Sequence, residues 1–195
     1  MVMVGDAGVA HARWRQIVED IGRFDAGAGR QAQRALERHD APVRVQIAGR
    51  GGAVRPTLCA AVEAAVARVE AAELDSPDRP EPVLDADVVL LVLAARAHPA
   101  DLAALLTVDA ERLVVVLDRT EGLDDADAAF AHAAAQVRRP VLAPGSAPAA
   151  VADRLGSARR RRAAALARDL AGIAAGPRAR DVIESVLDDL LGSEW

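Results

Sequence analysis

Residues 49–57, Gly-Arg-Gly-Gly-Ala-Val-Arg-Pro-Thr, come nearest in type and spacing to a chemical motif in this chain. An apolar strand leads into them and an apolar helix leads out, the context that marks a phosphate-binding loop, G-x-x-x-x-G-K-[ST]. That loop needs a second Gly so that backbone N–H groups can approach phosphate, a Lys for the β- and γ-phosphates, and a hydroxyl for Mg²⁺. Counting from Gly49, those places are held by Val54, Arg55 and Pro56. Val54 disfavours positive φ and adds bulk. Pro56 has neither hydroxyl nor N–H. Arg55 keeps a positive charge on a longer, planar group, and Thr57 stands one residue late. Gly49, Gly51 and Gly52 also suit a plain tight turn between strand and helix.

Other reactive types are scattered. His11, His39, His98 and His132 form no i, i+4 pair, so no metal site is expected. His98-Pro-Ala-Asp101 follows a strand end, where α/β proteins bind ligands, and reads first as a helix start. Ser146 lies in Pro-Gly-Ser-Ala-Pro, not in a G-x-S-x-G elbow. Cys59 is the single cysteine, which excludes an internal disulfide, and its apolar helical neighbours indicate packing. Arg159–Arg162 is the one dense basic run. Four successive helical residues point around most of the circumference, so the run reads as a solvated segment before an acidic partner or anionic lipid.

The elements that must position these residues are legible from pattern. Trp14, Ile17, Val18 and Ile21 make one helical stripe; Asp25-Ala-Gly-Ala-Gly29 breaks it, and a weaker helix resumes over 30–38. Residues 43–48 read as a strand and 57–72 as a helix. The unbroken apolar runs of 87–94 and 112–117 predict strands buried on both faces of a parallel sheet. Helices follow over 99–106 and 124–136, with a last short strand at 140–143. Val151–Arg180 carries eight Arg and two Asp, Asp181–Trp195 five acids and no base, and Gly176-Pro177 divides two helices.

At 195 residues the chain suits one domain with helical additions. All 24 basic residues are Arg, a mark of GC-rich coding and not of nucleic-acid binding, and the net charge of −5 argues against general affinity for nucleic acid or anionic membrane. No segment has the form of a signal peptide and no apolar run reaches about 18 residues. A soluble, cytoplasmic protein without an integral membrane segment is expected, with peripheral membrane association left open.

In their order these segments resemble the P-loop GTPases, especially the bacterial dynamin-like and Era-like branches. Val43–Leu58 looks like the first strand and phosphate loop. Asp85–Ala94 followed by Pro99-Ala-Asp101 looks like the fourth strand and its helix. Arg112–Glu121 occupies the place of the guanine-reading Asn-Lys-x-Asp, with Asp118, Arg119 and Glu121 at its polar positions, and Val141–Ala147 resembles the last strand and its Ser-Ala turn. The resemblance implies an α/β core over 42–148, a truncated parallel sheet of about four strands, after a helical hairpin at 1–41 and before helices at 149–195. Strands 43–48, 87–94, 112–117 and 140–143 would lie side by side in that order. Residues 73–86, with three prolines, read as a linker and contain no Asp-x-x-Gly for Mg²⁺ and the γ-phosphate.

The function expected is that of a catalytically inactive pseudo-GTPase with a vestigial nucleotide site at Gly49, Gly51, Gly52, Arg55, Thr57, Asp118 and Glu121. It would carry no cofactor unless GTP or GDP still binds. It would act on another protein, an active GTPase or dynamin-like protein, through an apolar ridge of Val186, Leu187, Leu190 and Leu191 with Trp195 as anchor. Two alternatives stand beside it: a weak nucleotide-binding switch or GTPase that uses Arg55 and Thr57, and an unrelated small α/β protein with a ligand site at the strand C-terminal ends.

Overall fold

A computed structural model describes residues 5–66, 68–77, 79–118 and 125–192, with side chains described from Trp14 to Leu187 in the terminal helices. The chain divides into two compact units, Val43–Ala158 and the pair of ends Met1–Pro42 with Arg159–Trp195.

The first unit is an α/β layer structure. β1 (Val45–Arg50), β2 (Val69–Leu74), β3 (Val88–Ala94) and β4 (Leu113–Asp118) form one sheet in the order β2-β1-β3-β4. All three pairings are parallel. β3 and β4 are buried almost throughout, as their unbroken apolar runs require. One face packs Val45, Ile47, Val88, Leu90 and Val116 against Leu58 and Val62 of α3 (Pro56–Val66) and Ala147 and Val151 of α6 (Ala147–Ala171). The other packs Leu74, Leu91, Leu93 and Leu117 against Leu105 of α4 (Pro99–Thr107) and Val137 of α5 (Ala126–Val137).

Two sequence expectations are corrected at the sheet edges. The helix read over 57–72 stops at Val66, and residues 69–74 turn into β2, paired from Val45↔Val69 to Arg50↔Leu74. At the other edge, residues 140–143 supply one bridge, Val116↔Leu142, and not a strand. Leu142 N–H donates to Val115 O at 2.9 Å, and Leu142 O accepts from Leu117 N–H at 3.0 Å. Extending that ladder in either direction calls on the N–H groups of residues 140 and 144. Both are proline, so the ladder ends after one residue.

The segment read as a linker is ordered by two side chains. Buried Gln46 donates through Nε2 to Val83 O at 3.1 Å and accepts from Ala86 N–H at 3.2 Å. Arg112 donates to Ala86 O at 2.9 Å and Leu84 O at 2.8 Å. These bonds satisfy backbone that no helix satisfies, and they seat Leu84 and Ala86 in the core. Arg44 pairs with Glu70 and Asp85, both at 3.0 Å, and the Arg44 hydrogen bond holds the Glu70 carboxyl below its ordinary range.

The second unit is helical: α1 (Gly5–Phe24), α2 (Ala26–Asp40), the end of α6 and α7 (Pro177–Gly192). The glycine-rich segment read as a break is the first turn of α2. Asp25 is its N-cap, accepting from Gly27 N–H at 2.9 Å and Ala28 N–H at 3.0 Å, and its other oxygen accepts from Gly176 N–H at 3.2 Å. A Cβ on Gly29 would stand 2.5 Å from Gly22 Cα, so this glycine lets two helices approach closely. Arg162, one of the Arg159–Arg162 run, donates to the carbonyls of His39, Ala41 and Pro42 and so closes the C-terminus of α2.

The docking ridge is corrected as well. Ile183 and Val186 are buried, and Leu187 is half-buried against the cluster of Val18, Ile21, Leu36 and Leu170. Val186 and Leu187 are therefore core-facing residues of their own unit. The side chains of Leu190 and Leu191, and Trp195, lie outside the described residues. Among the described residues, no helix is long and apolar enough to cross a membrane.

Replacing Gln46 by Ala leaves Val83 C=O and Ala86 N–H without their partners inside the protein. A loss of about 1–3 kcal/mol in urea unfolding is expected, with the far-ultraviolet spectrum retained. Asp25 gives a pH signature. Its hydrogen bonds, first that from Ala28 N–H, lower the folded carboxyl below its ordinary 3.8. Its stabilisation is thus complete above pH about 4 and is lost as pH falls through the lower folded value. Asp25→Asn keeps the cap without the charge, so its melting temperature should trail the wild type by a constant amount above pH about 4, the gap closing in acid.

Candidate functional site

The C-terminal ends of the strands hold the loop from Arg50 to Arg55. β1 leads into α3 on one face of the sheet and β3 leads into α4 on the other, so the crevice between β1 and β3 is the switch point at which open α/β sheets bind ligands. Two cationic side chains stand there, and both are held by carboxylates of the same unit.

Arg50, the last residue of β1, places Nε 3.3 Å from both oxygens of Asp101. The Asp101 side chain, in the first turn of α4, is 1% exposed. It also accepts from His98 N–H at 2.9 Å, while His98 Nδ1 accepts from Ala100 N–H at 3.3 Å, a reciprocal cap that fixes the helix start. Arg55, just before α3, places Nε 2.8 Å from Asp118 Oδ2 at the end of β4. That oxygen makes no hydrogen bond among the described residues, so the contact is an ion pair by distance and not an aligned hydrogen bond. The Asp118 side chain is 7% exposed, and a carboxylate so buried needs the nearby charge.

The loop itself is shaped by its glycines. Gly52 has φ 69°, a left-handed conformation that disfavours any side chain. Gly49 lies within β1, and a Cβ there would meet Val54 Cγ2 at 3.0 Å and Val92 O at 3.1 Å. The space that Gly49 leaves is thus taken by Val54, whose neighbour Ala53 is buried in the core. Gly51 is exposed beside Glu73. Thr57 is exposed in the first turn of α3. Glu121 lies outside the described residues. The structure therefore brings Arg55 and Asp118 together and leaves Thr57 exposed in the first turn of α3.

A groove of about 450 Å³ opens beside the loop, lined by Arg50, Val54, Pro56, Cys59, Glu73 and Arg79. Burial, with the Glu63 charge nearby, pushes the Cys59 thiol up, so it stays a thiol and not a nucleophile. Among the described residues no three His, Cys, Asp or Glu side chains cluster as metal ligands.

Sequence reasoning read 98–101 as a helix start but passed over Arg50, its pairing with Asp101, and Asp75. Asp75 follows the last residue of β2 with φ 54°, donating its N–H to Glu81 at 3.2 Å. It heads Asp75-Ser-Pro-Asp78, in the stretch that contains no Asp-x-x-Gly. The signal was the Asp-Ser-Pro stop itself, hidden because Val69–Leu74 reads as more helix.

Because Asp101 is the buried partner, the pair should respond asymmetrically. Arg50→Ala strands a buried carboxylate and is expected to cost about 3 kcal/mol in guanidinium unfolding; adding Asp101→Asn to that variant should recover part of the loss.

No protein-family model matches the chain, and no curated protein and no solved structure matches it either.

Proposed function

We propose that Val43–Ala158 is a degenerate P-loop GTPase-like domain that neither hydrolyses nor tightly binds nucleotide and that acts by contact with another protein, an active GTPase or dynamin-like protein being the partner the resemblance implies. The observation that carries the reading is the Arg55–Asp118 ion pair at 2.8 Å. In a working site the cation at this place faces phosphate, and the place of Asp118 at the end of β4 is the Asn of the guanine-reading Asn-Lys-x-Asp. Here each faces the other.

Three further features support it. Val54 fills the inside of the loop. Pro56 withholds an N–H from the start of α3, where anions are usually held. Arg50, the other cation at the loop, is engaged by Asp101. A phosphate would have to displace two internal carboxylates and would recover few backbone donors. Parallel β1, β2, β3 and β4 around a strand–loop–helix fit a retained scaffold whose use has changed.

Calorimetric titration of GDP and GTP, with and without Mg²⁺, should show no dissociation constant tighter than about millimolar, roughly −4 kcal/mol. Phosphate release from GTP and ATP should stay at buffer background. A micromolar constant for GDP that disappears in Arg55→Ala would contradict this proposal and establish the nucleotide switch instead.

A further inference from the structure

We infer that the outer edge of β4 carries a binding site for a small monoanion with an apolar part, of the alkyl or aryl monocarboxylate class. This inference does not depend on the GTPase-like reading, since the site lies away from the loop of Arg50–Arg55, toward the N-terminal half of β4.

The early stop of the sheet creates the space. With Pro140 and Pro144 flanking the bridge at Leu142, no strand among the described residues covers β4 beyond that bridge. A cavity of about 250 Å³ opens there, below the roughly 300–1,000 Å³ of pockets for larger ligands. Its walls are apolar, with Leu113, Val115, Pro140, Leu142 and Ala150 among them.

Its donors are positively charged. Arg139 and Arg154 both line the cavity, and both are half-buried. Neither has a hydrogen bond or an ion pair among the described residues, in contrast to Arg44, Arg50, Arg112 and Arg162. Backbone adds a third donor. Val89 N–H bonds Arg112 O, which sets the even residues of β4 toward β3 and the odd ones toward the outer edge. Val115 O is taken by Leu142 N–H, but Val115 N–H makes no backbone hydrogen bond among the described residues. One carboxylate, the exposed Asp153, also lines the cavity. Two guanidinium groups against one carboxylate leave a net charge of +1, which a monoanion balances and a dianion exceeds. A carboxylate matches the planar guanidinium fork, and the apolar walls suit a short alkyl or aryl group behind it.

The test uses the full-length protein, with benzoate and hexanoate as probes and inorganic phosphate as the control without an apolar part. Titrations are followed by amide nitrogen–proton spectra. Saturable shifts are expected at Val115, Leu142 and Ala150, with a dissociation constant on the order of 0.1–1 mM. Arg139→Gln and Arg154→Gln should each weaken binding about tenfold or more while the rest of the spectrum is unchanged. Ala150→Leu keeps both arginines but fills the cavity, and should also abolish binding. No saturable shift up to about 10 mM, equal affinity in the glutamine variants, or phosphate binding as well as the carboxylates would each overturn the proposal.

Discussion

A carboxylate folded out of water must find a cation, and Asp101 and Asp118 set that requirement at the C-terminal end of this sheet. The arginines that meet it are Arg50, at the end of β1, and Arg55, just before α3. This fixes much else. Arg50 ties the end of β1 to the first turn of α4, and the same Asp101 caps that turn through His98 N–H. Arg55 ties the start of α3 to the end of β4. The four elements around the crevice are thereby cross-linked by charge.

The sheet shows a second constraint, the supply of backbone hydrogen bonds at its edges. β2 pairs along its whole length with β1 although its sequence favours helix, because β1 offers an open ladder. At β4 the opposite holds: the ladder is open, but prolines at 140 and 144 decline it. Where the helix expected between parallel strands is lacking, Gln46 and Arg112 replace its effect by binding the carbonyls and N–H groups of residues 83–86. A buried polar side chain of β1 and an arginine just before β4 thus stand in for missing secondary structure.

What the sequence disclosed follows the same physics. β3 and β4 were legible because strands buried on both faces need unbroken apolar runs, and Val88–Ala94 and Leu113–Leu117 are such runs, while β1 was legible from the alternation of apolar and polar residues over 43–48. β2 was not, since Val-Glu-Ala-Ala-Glu-Leu has the composition of a helix and becomes a strand only through pairing. Residues 140–143 looked like a strand by apolarity, while the register that places both prolines at donor positions is visible only in space. The start of α2 was obscured by its glycines, although Asp25 is a standard N-cap type. At the site, Arg55 was identified from the loop pattern and Asp118 from the resemblance of 112–121 to Asn-Lys-x-Asp. That they bind each other, and that Arg50 reaches Asp101 across 51 positions, is tertiary information that no spacing encodes.

The central claim is that Arg55 and Asp118 satisfy each other in place of a nucleotide. A double-mutant cycle with Arg55→Met and Asp118→Asn, read by chemical unfolding with and without about 1 mM Mg-GTP, tests it most directly. The account predicts a coupling on the order of 1 kcal/mol or more between the two sites, and a wild-type stability that GTP leaves unchanged to within about 0.5 kcal/mol. Additive single variants, or a wild type that GTP stabilises by about 2 kcal/mol, would contradict it.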